Sequence, residues 1–316
     1  LTFEQIITHC TPRRAVLHAY GLLPATPVRQ EVVLGPALRA AYDAAGNPTK
    51  AALGFARGQG ADIAELIQQE TPKGTYIAVR KTVGGQSAIS IIADAAPAII
   101  SALPFAKRMH WGNDRFLFAR PLRWIVALMD KAIVPFAVAG VESGRMTTGH
   151  RVLGRGPFAV ADADSLDRVL ADQCHVVLSE QDRRSIIVSG GNRIAADAGG
   201  RVLWKDSLLE EVCGLCEDPV PVLGSFDPSF LELPAQVLLT SMETHQKSFG
   251  VEDGHGKLLP YFLTVSNIES SDPQLVQKGW ERVLRARLED ARFYWNTDLK
   301  TSFDIWQEKL DHVIFL

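Results

Sequence analysis

The chain predicts an α+β fold, with helices mixed among largely antiparallel sheets and two packed domains. Three observations lead there. The apolar runs form hairpin-like pairs rather than a regular strand–helix alternation. An Asp253-Gly254-His255-Gly256 turn separates two β-prone runs, Phe249 to Val251 and Leu258 to Val265. Near the C-terminus, Trp280, Leu284, Leu288, Ala291 and Trp295 fall at i, i+4, i+8, i+11 and i+15, one apolar stripe on a helix.

Taken in order, Ala15 to Tyr20 and Thr75 to Val83 read as strands, the second closed by Gly84-Gly85. Thr49 to Ala56 reads as a helix. So does Ser87 to Leu103, bent or interrupted near Pro97, which removes a donor and crowds the preceding turn. Pro121 to Met129 is apolar with Arg123 inside it, and a strand follows from Ala132 to Val138. Glycines at 149, 154 and 156 mark a change of character, which sets a soft boundary between a first domain, 1–155, and a second, 156–316. Asp162 to Leu170 predicts a short helix, Cys174 to Leu178 a strand, and Glu180 to Ala198 a long helix stopped by Gly199-Gly200. Ser207-Leu208-Leu209-Glu210 has capping-box spacing and opens a helix toward Cys216. Leu233-Pro234 opens another. Asp272 then caps the last helix, with Pro273 at its first position, where a missing N–H costs nothing.

Composition narrows the class. At 316 residues, 47% apolar and 22% charged, the chain is an ordinary globular protein of one large or two average domains. Asp94 and Pro97 interrupt the apolar run from Ile89 to Ile100. Asp130, Lys131 and Pro135 interrupt the run from Ile125 to Val138, so no membrane partner is expected. Four cysteines make no disulfide framework in a chain this size, and a reducing cytoplasm is the simplest setting. The net charge of −3 argues against a uniformly basic nucleic-acid binder. Its distribution says more: between Phe105 and Arg155 nine Lys or Arg face three acidic residues, 9 − 3 = +6. Such an excess can form a footprint for phosphates, or be spread and cancelled by acidic neighbours in the fold.

Few motifs carry chemistry. Cys213-x-x-Cys216 lacks the further ligands of a zinc site and sits in an apolar helix, where two small hydrophobes pack. His245 and Lys247 lie at a predicted helix end; the dipole there favours a cation, and a loop contact to RNA or a partner is the alternative. In Thr148-Gly149-His150-Arg151 the glycine allows close backbone approach, and His150 with Arg151 can meet a phosphate or a carboxylate. Arg120 and Arg123 flank Trp124 closely enough for an internal cation–π contact or for stacking on RNA. Arg282, Arg285 and Arg292, with Glu289, occupy a face of the last helix away from its apolar stripe. They form a solvated salt-bridged surface or a set of guanidinium groups for phosphates and acidic side chains. Asp162-x-Asp164 lacks the Gly-Ser strand context of a nucleotidyltransferase. No phosphate-binding Gly-x-x-x-x-Gly-Lys-Ser/Thr loop occurs, so neither a catalytic residue nor a metal site is assigned.

A series of short segments then resembles one family along nearly the whole chain. These are Thr11-Pro12-Arg13-Arg14, Gly35-Pro36, Lys50-Ala51-Ala52, Gly54-Phe55-Ala56-Arg57, and Met109-x-Trp111-Gly112 with Phe116, Arg120-Pro121 and Arg123-Trp124. They continue with Thr148-Gly149-His150-Arg151 and Gly154, Leu208 to Val212, Phe230-Leu231-x-Leu233-Pro234, and Met242-x-x-His245-Gln246-Lys247-x-Phe249. The strand–turn–helix from Lys257 to Phe293 completes the series. Together they resemble the beta subunit of bacterial heterotetrameric glycyl-tRNA synthetase. Gln236 and Trp280 depart from it, standing where an acidic and a polar residue are expected. Both ends read as cut, with Leu1 partway into the first domain and Leu310 to Leu316 inside a further family segment. The resemblance implies an HD-type helical domain and an anticodon-binding domain beyond.

By that resemblance the holoenzyme joins glycine to tRNA at the expense of ATP, as two alpha and two beta chains. ATP and Mg2+ belong to the alpha subunit, and this chain binds no cofactor and is inactive alone. Its implied work is to dock alpha and to position tRNA. Arg108, Arg120, Arg123, His150, Arg151, His245, Lys247, Arg282, Arg285 and Arg292 are the candidate RNA or partner contacts. Two other classes compete: an independent nucleotidyltransferase-like or metal-dependent enzyme, and an assembly scaffold that never touches RNA.

Overall fold

The computed structural model describes residues 1–111, 115–311 and 313–314. Gly112 of the Trp-Gly element, Asp114 of the charge window, and His312, Phe315 and Leu316 of the terminal family segment lie outside them. The fold is α+β with antiparallel sheets. Two compact units are each built from segments distant in sequence.

One unit comprises Leu1–Ile6, Ala19–Arg123 and Val134–Ser143. Its sheet has the strand Gly74–Val83 at the centre, flanked by Arg29–Ala37 and Ile67–Thr71, with Leu34 and Ile67 both opposite Ala78. A small core gathers Ala41, Ala52 and Ile77 with Tyr42 and Phe55 around them. The helix Lys50–Gln59 ends at Gly60 in the left-handed region, φ 64°. It packs closely on the sheet at Gly35, where an added Cβ would stand 2.8 Å from the Phe55 ring. The helix Ala88–Ser101 runs through Pro97.

The other unit comprises Ile7–His18, Trp124–Ile133 and Gly144–Leu316. Its sheet runs in the order Arg201–Val202, Phe249–Glu252, Leu258–Ser266, Val220–Ser225. The predicted hairpin around Asp253 to Gly256 is its centre. Successive side chains on a strand face opposite ways, and the long central strand uses both sides. Leu263 enters a core with Ile187, Leu209, Val212, Cys213, Phe249 and Val251 beneath the helices Glu180–Asp197 and Asp206–Leu215. Phe262 enters a second core with Phe230, Leu238, Met242, Leu284 and Leu288, the last two from the helix Pro273–Asp298. Burying a side chain of this size stabilises by roughly 1.5–3 kcal/mol, so the sheet is held from both faces. Asp272 caps the long helix by accepting from the Leu275 N–H at 3.0 Å, with Pro273 at its start.

Three expectations need correction. Cys174 to Leu178 joins no sheet: Cys174 lies in a turn, His175 is left-handed with φ 53°, and the N–H groups go to scattered carbonyls, Val176 to Leu170 and Val177 to Glu217. The helix toward Cys216 begins at Asp206 after Lys205 and has no side-chain cap. Ser207 lies inside it, so no capping box forms. The strand expected from Ala132 to Val138 splits into Ala132–Ile133 and Ala137–Val138, because Pro135 between them offers no donor to a ladder.

Candidate nucleic-acid and subunit interface

The basic window does not act as one block. Arg108, Arg120 and Arg123 are exposed and belong to the first unit, while Arg151 is exposed in the second. Arg145 is spent internally, donating to the carbonyls of Val160, Ala161 and Lys131 at 2.9–3.2 Å. His150 is only 3% exposed. Its Nδ1 accepts from the Val152 and Leu153 N–H groups, and its own N–H donates to the Cys174 carbonyl. The imidazole is thus enclosed and organises a loop from inside.

One buried polar cluster escaped the sequence reading. Strands Gln5–Thr11 and Arg14–Tyr20 are joined by Pro12-Arg13, which presents both arginines together. Arg14 donates to the carboxylate of Glu217 and to the Thr148 carbonyl. The Thr11 hydroxyl donates to the same carboxylate at 2.6 Å, and Arg13 donates to the Gly149 carbonyl at 2.9 Å. Both guanidinium groups lie over Trp124, 5.7 and 5.6 Å from its ring centre. Trp124 therefore takes its cations from this turn, not from neighbouring Arg120 or Arg123. Burial, helped by the charges of Arg14 and Arg151 and opposed by the carboxylate of Glu217, holds the Arg13 guanidinium pKa below its ordinary value. Asn267 ties the cluster to the central strand by accepting from the Glu217 and Asp218 N–H groups at 2.6 and 3.1 Å. Only the resemblance of Thr11-Pro12-Arg13-Arg14 pointed here; nothing local marks Glu217.

His245 and Lys247 share a cleft of about 290 Å3 with Gln246, Asn267, Cys216 and Trp280. One π-helical turn, Ser241–His245, delivers the exposed His245 to its rim. Lys247 follows with φ 51°, a left-handed conformation uncommon for a side chain of this kind, and its ammonium lies 2.9 Å from Glu211. Trp280 packs its other side against the second core, which accounts for an indole at a position expected to be polar.

The long helix divides its arginines by role. Arg292 donates to Glu289 at 2.6 Å and lies 4.6 Å over the Phe230 ring. Arg282 and Arg285 are exposed, and among the described residues no carboxylate comes within 4 Å of either. Nearby Asp227 has its carboxyl pKa lowered, first by hydrogen bonds from Ser229 and then by the charges of Arg285 and Arg292.

Other motifs resolve into packing. Cys213 and Cys216 are buried free thiols, and burial pushes Cys216 up to about 12. Asp162 caps a short helical turn through the Ser165 N–H. Among the described residues no group of three or more His, Cys, Asp or Glu is placed to hold a metal ion, and no helix is long and apolar enough to cross a membrane.

Comparison with known proteins gives a consistent result. The family model described as glycyl-tRNA synthetase beta subunit matches residues 1–316. The glycine–tRNA ligase beta subunit of Oleidesulfovibrio alaskensis is 57% identical over 314 residues, covering 99% of this chain and 45% of that protein. The proteins of the same name from Lawsonia intracellularis and Geobacter metallireducens are 49% and 43% identical, over 99% and 100% of this chain and 45% and 46% of theirs. The chain thus spans a little under half the length of the curated relatives it matches.

Proposed function

The chain belongs to the glycyl-tRNA synthetase beta-subunit family, and on that premise we propose that it is the tRNA-contacting and alpha-docking part of a glycine–tRNA ligase beta subunit. It would work in the cytoplasm in an assembly of two alpha and two beta chains, with ATP and Mg2+ held by alpha. The observation that carries the reading is the family match along the whole chain. The structure supports it with two exposed arginines on the long helix, Arg282 and Arg285, which among the described residues have no carboxylate within 4 Å. Such groups meet the evenly spaced charge of an RNA backbone without needing its bases, whose edges are hidden in the deep A-form major groove.

In this reading the buried cluster around Glu217 positions and the surface arginines bind. Arg108, Arg120, Arg123 and Arg151 supply further charge for phosphates or for alpha, and His245 and Lys247 offer a cation pair at a cleft edge. Electrostatics supplies most of the affinity, since each neutralised phosphate releases counterions.

The test is tRNA binding by the full-length beta subunit with its alpha chain, measured across a salt series. Affinity should fall steeply, by about 10³-fold or more between 50 and 200 mM salt if six or more phosphates are neutralised. Salt-independent or absent tRNA binding, with alpha docking intact, would leave an assembly scaffold and remove the RNA role.

A further inference from the structure

The helix Pro273–Asp298 carries two apolar stripes, and the cores account for one. At about 100° per residue, taking Leu275 as 0°, Leu284 and Leu288 fall near 180° and 220°. These are the buried pair. On the same count Leu275, Val283 and Phe293 return to about 0–80°, with Tyr294 at their edge near 100°, on the opposite side. All four are exposed, Phe293 by 66%. The next helix, Phe303–Leu310, also leaves apolar side chains uncovered, with Phe303 91% exposed and Leu310 61%. Arg282 and Arg285 border one flank of the outer stripe, and Arg287 the other. Large apolar side chains gathered on one helix face mark a contact rather than a solvated face.

We infer that this outer face is a docking surface for the remainder of the same polypeptide in the full-length protein. The element it receives presents an apolar ridge. Three observations select that occupant. The relatives are more than twice as long as the matched stretch, which is 45% of the Oleidesulfovibrio protein, so a large body of chain needs a seat. A surface carrying aromatic side chains this exposed has the character of permanently covered interfaces, which resemble a core cut in half. A tethered element meets such a surface at millimolar effective concentration, with no need for a separate encounter. A phosphate backbone on this face would leave Phe293 and Phe303 wet.

Radical footprinting of the unmodified full-length beta subunit, read by mass spectrometry, tests this without any variant. Labelling of Phe293, Tyr294 and Phe303 is compared with the urea-unfolded chain for beta alone, beta with alpha, and both with tRNA. The expected result is protection of about five-fold or more in beta alone, unchanged by either addition. Weaker protection in beta alone overturns the inference, and protection that then arises on adding alpha or tRNA reassigns the face to that partner.

Discussion

Arg14 and Glu217, 203 positions apart, form an ion pair whose side chains are only 4% and 1% exposed. Removing one member leaves a charge stranded in a medium that solvates it poorly. Glu217→Ala should therefore destabilise the protein by about 3–5 kcal/mol, read as a lowered unfolding midpoint. Arg14→Met with Glu217→Leu should recover much of that loss. A double variant as unstable as the sum of the singles would show that the pair is not coupled.

Arg183 predicts a different kind of sensitivity. It is buried, and its guanidinium donates to the carbonyls of Cys213, Val177, Leu178 and Cys10 at 2.7–3.0 Å. A lysine has one nitrogen in place of that planar fork, so Arg183→Lys should cost about 2–3 kcal/mol despite keeping the charge. Denaturant titration decides it, and a change below about 0.5 kcal/mol, the usual size of surface effects, would contradict the role.

The glycines separate into two groups. A Cβ at Gly154 would lie 2.6 Å from the Cys174 carbonyl oxygen and 2.8 Å from the Gly149 Cα, both main-chain atoms that cannot turn aside. Gly154→Ala should cost about 1–3 kcal/mol. Gly54, in an exposed helix position with nothing within 4 Å of its Cβ site, should do the reverse. There Gly54→Ala should stabilise its helix by about 0.5–1 kcal/mol, and thermal melts of both variants supply the comparison.

Cys216 sets a pH dependence. Its thiol is pushed up to about 12, chiefly by burial, against an ordinary value of 9.0. As pH rises above 9, the unfolded chain releases this proton while the folded chain keeps it, so stability should fall between about pH 9 and 12. Cys216→Ala should flatten that part of the profile. In native protein at pH 8, an alkylating reagent should modify exposed Cys10 and spare Cys174, Cys213 and Cys216.

Arg282→Glu with Arg285→Glu tests the surface reading directly in the full-length complex. If both groups meet phosphates, tRNA affinity should drop and the slope of log affinity against log salt should shrink by about two contacts' worth. If they meet alpha, co-purification should weaken instead. Unchanged isotherms for both ligands would withdraw the assignment.

What the sequence revealed follows from the range over which each signal acts. The cap at Asp272, the stripe ending at Trp295 and the hairpin around Gly254 are local, and each was legible because neighbours within a few residues decide it. Cys174 to Leu178 has the composition of a strand, yet lies where carbonyls of Leu170 and Glu217 answer its N–H groups singly. The Ser207 spacing fits a capping box, but the helix starts two residues earlier and draws Asp206 toward Arg184 at 2.6 Å. Trp124 finds its cations in the Pro12-Arg13 turn, a pairing invisible to any window of sequence. The same limit hid Glu217 while leaving the exposed arginines of the long helix readable, since a helical face is periodic and a tertiary contact is not.

The separation between Arg14 and Glu217 has a consequence during synthesis. At about 5–20 residues per second, a ribosome needs about 10–40 s to add the 203 positions that divide them. For that interval the early hairpin carries a guanidinium with no carboxylate to receive it. The N-terminal ribbon therefore waits in water and locks only once the later strands have emerged, so nascent chains stalled before Glu217 should expose it to proteases.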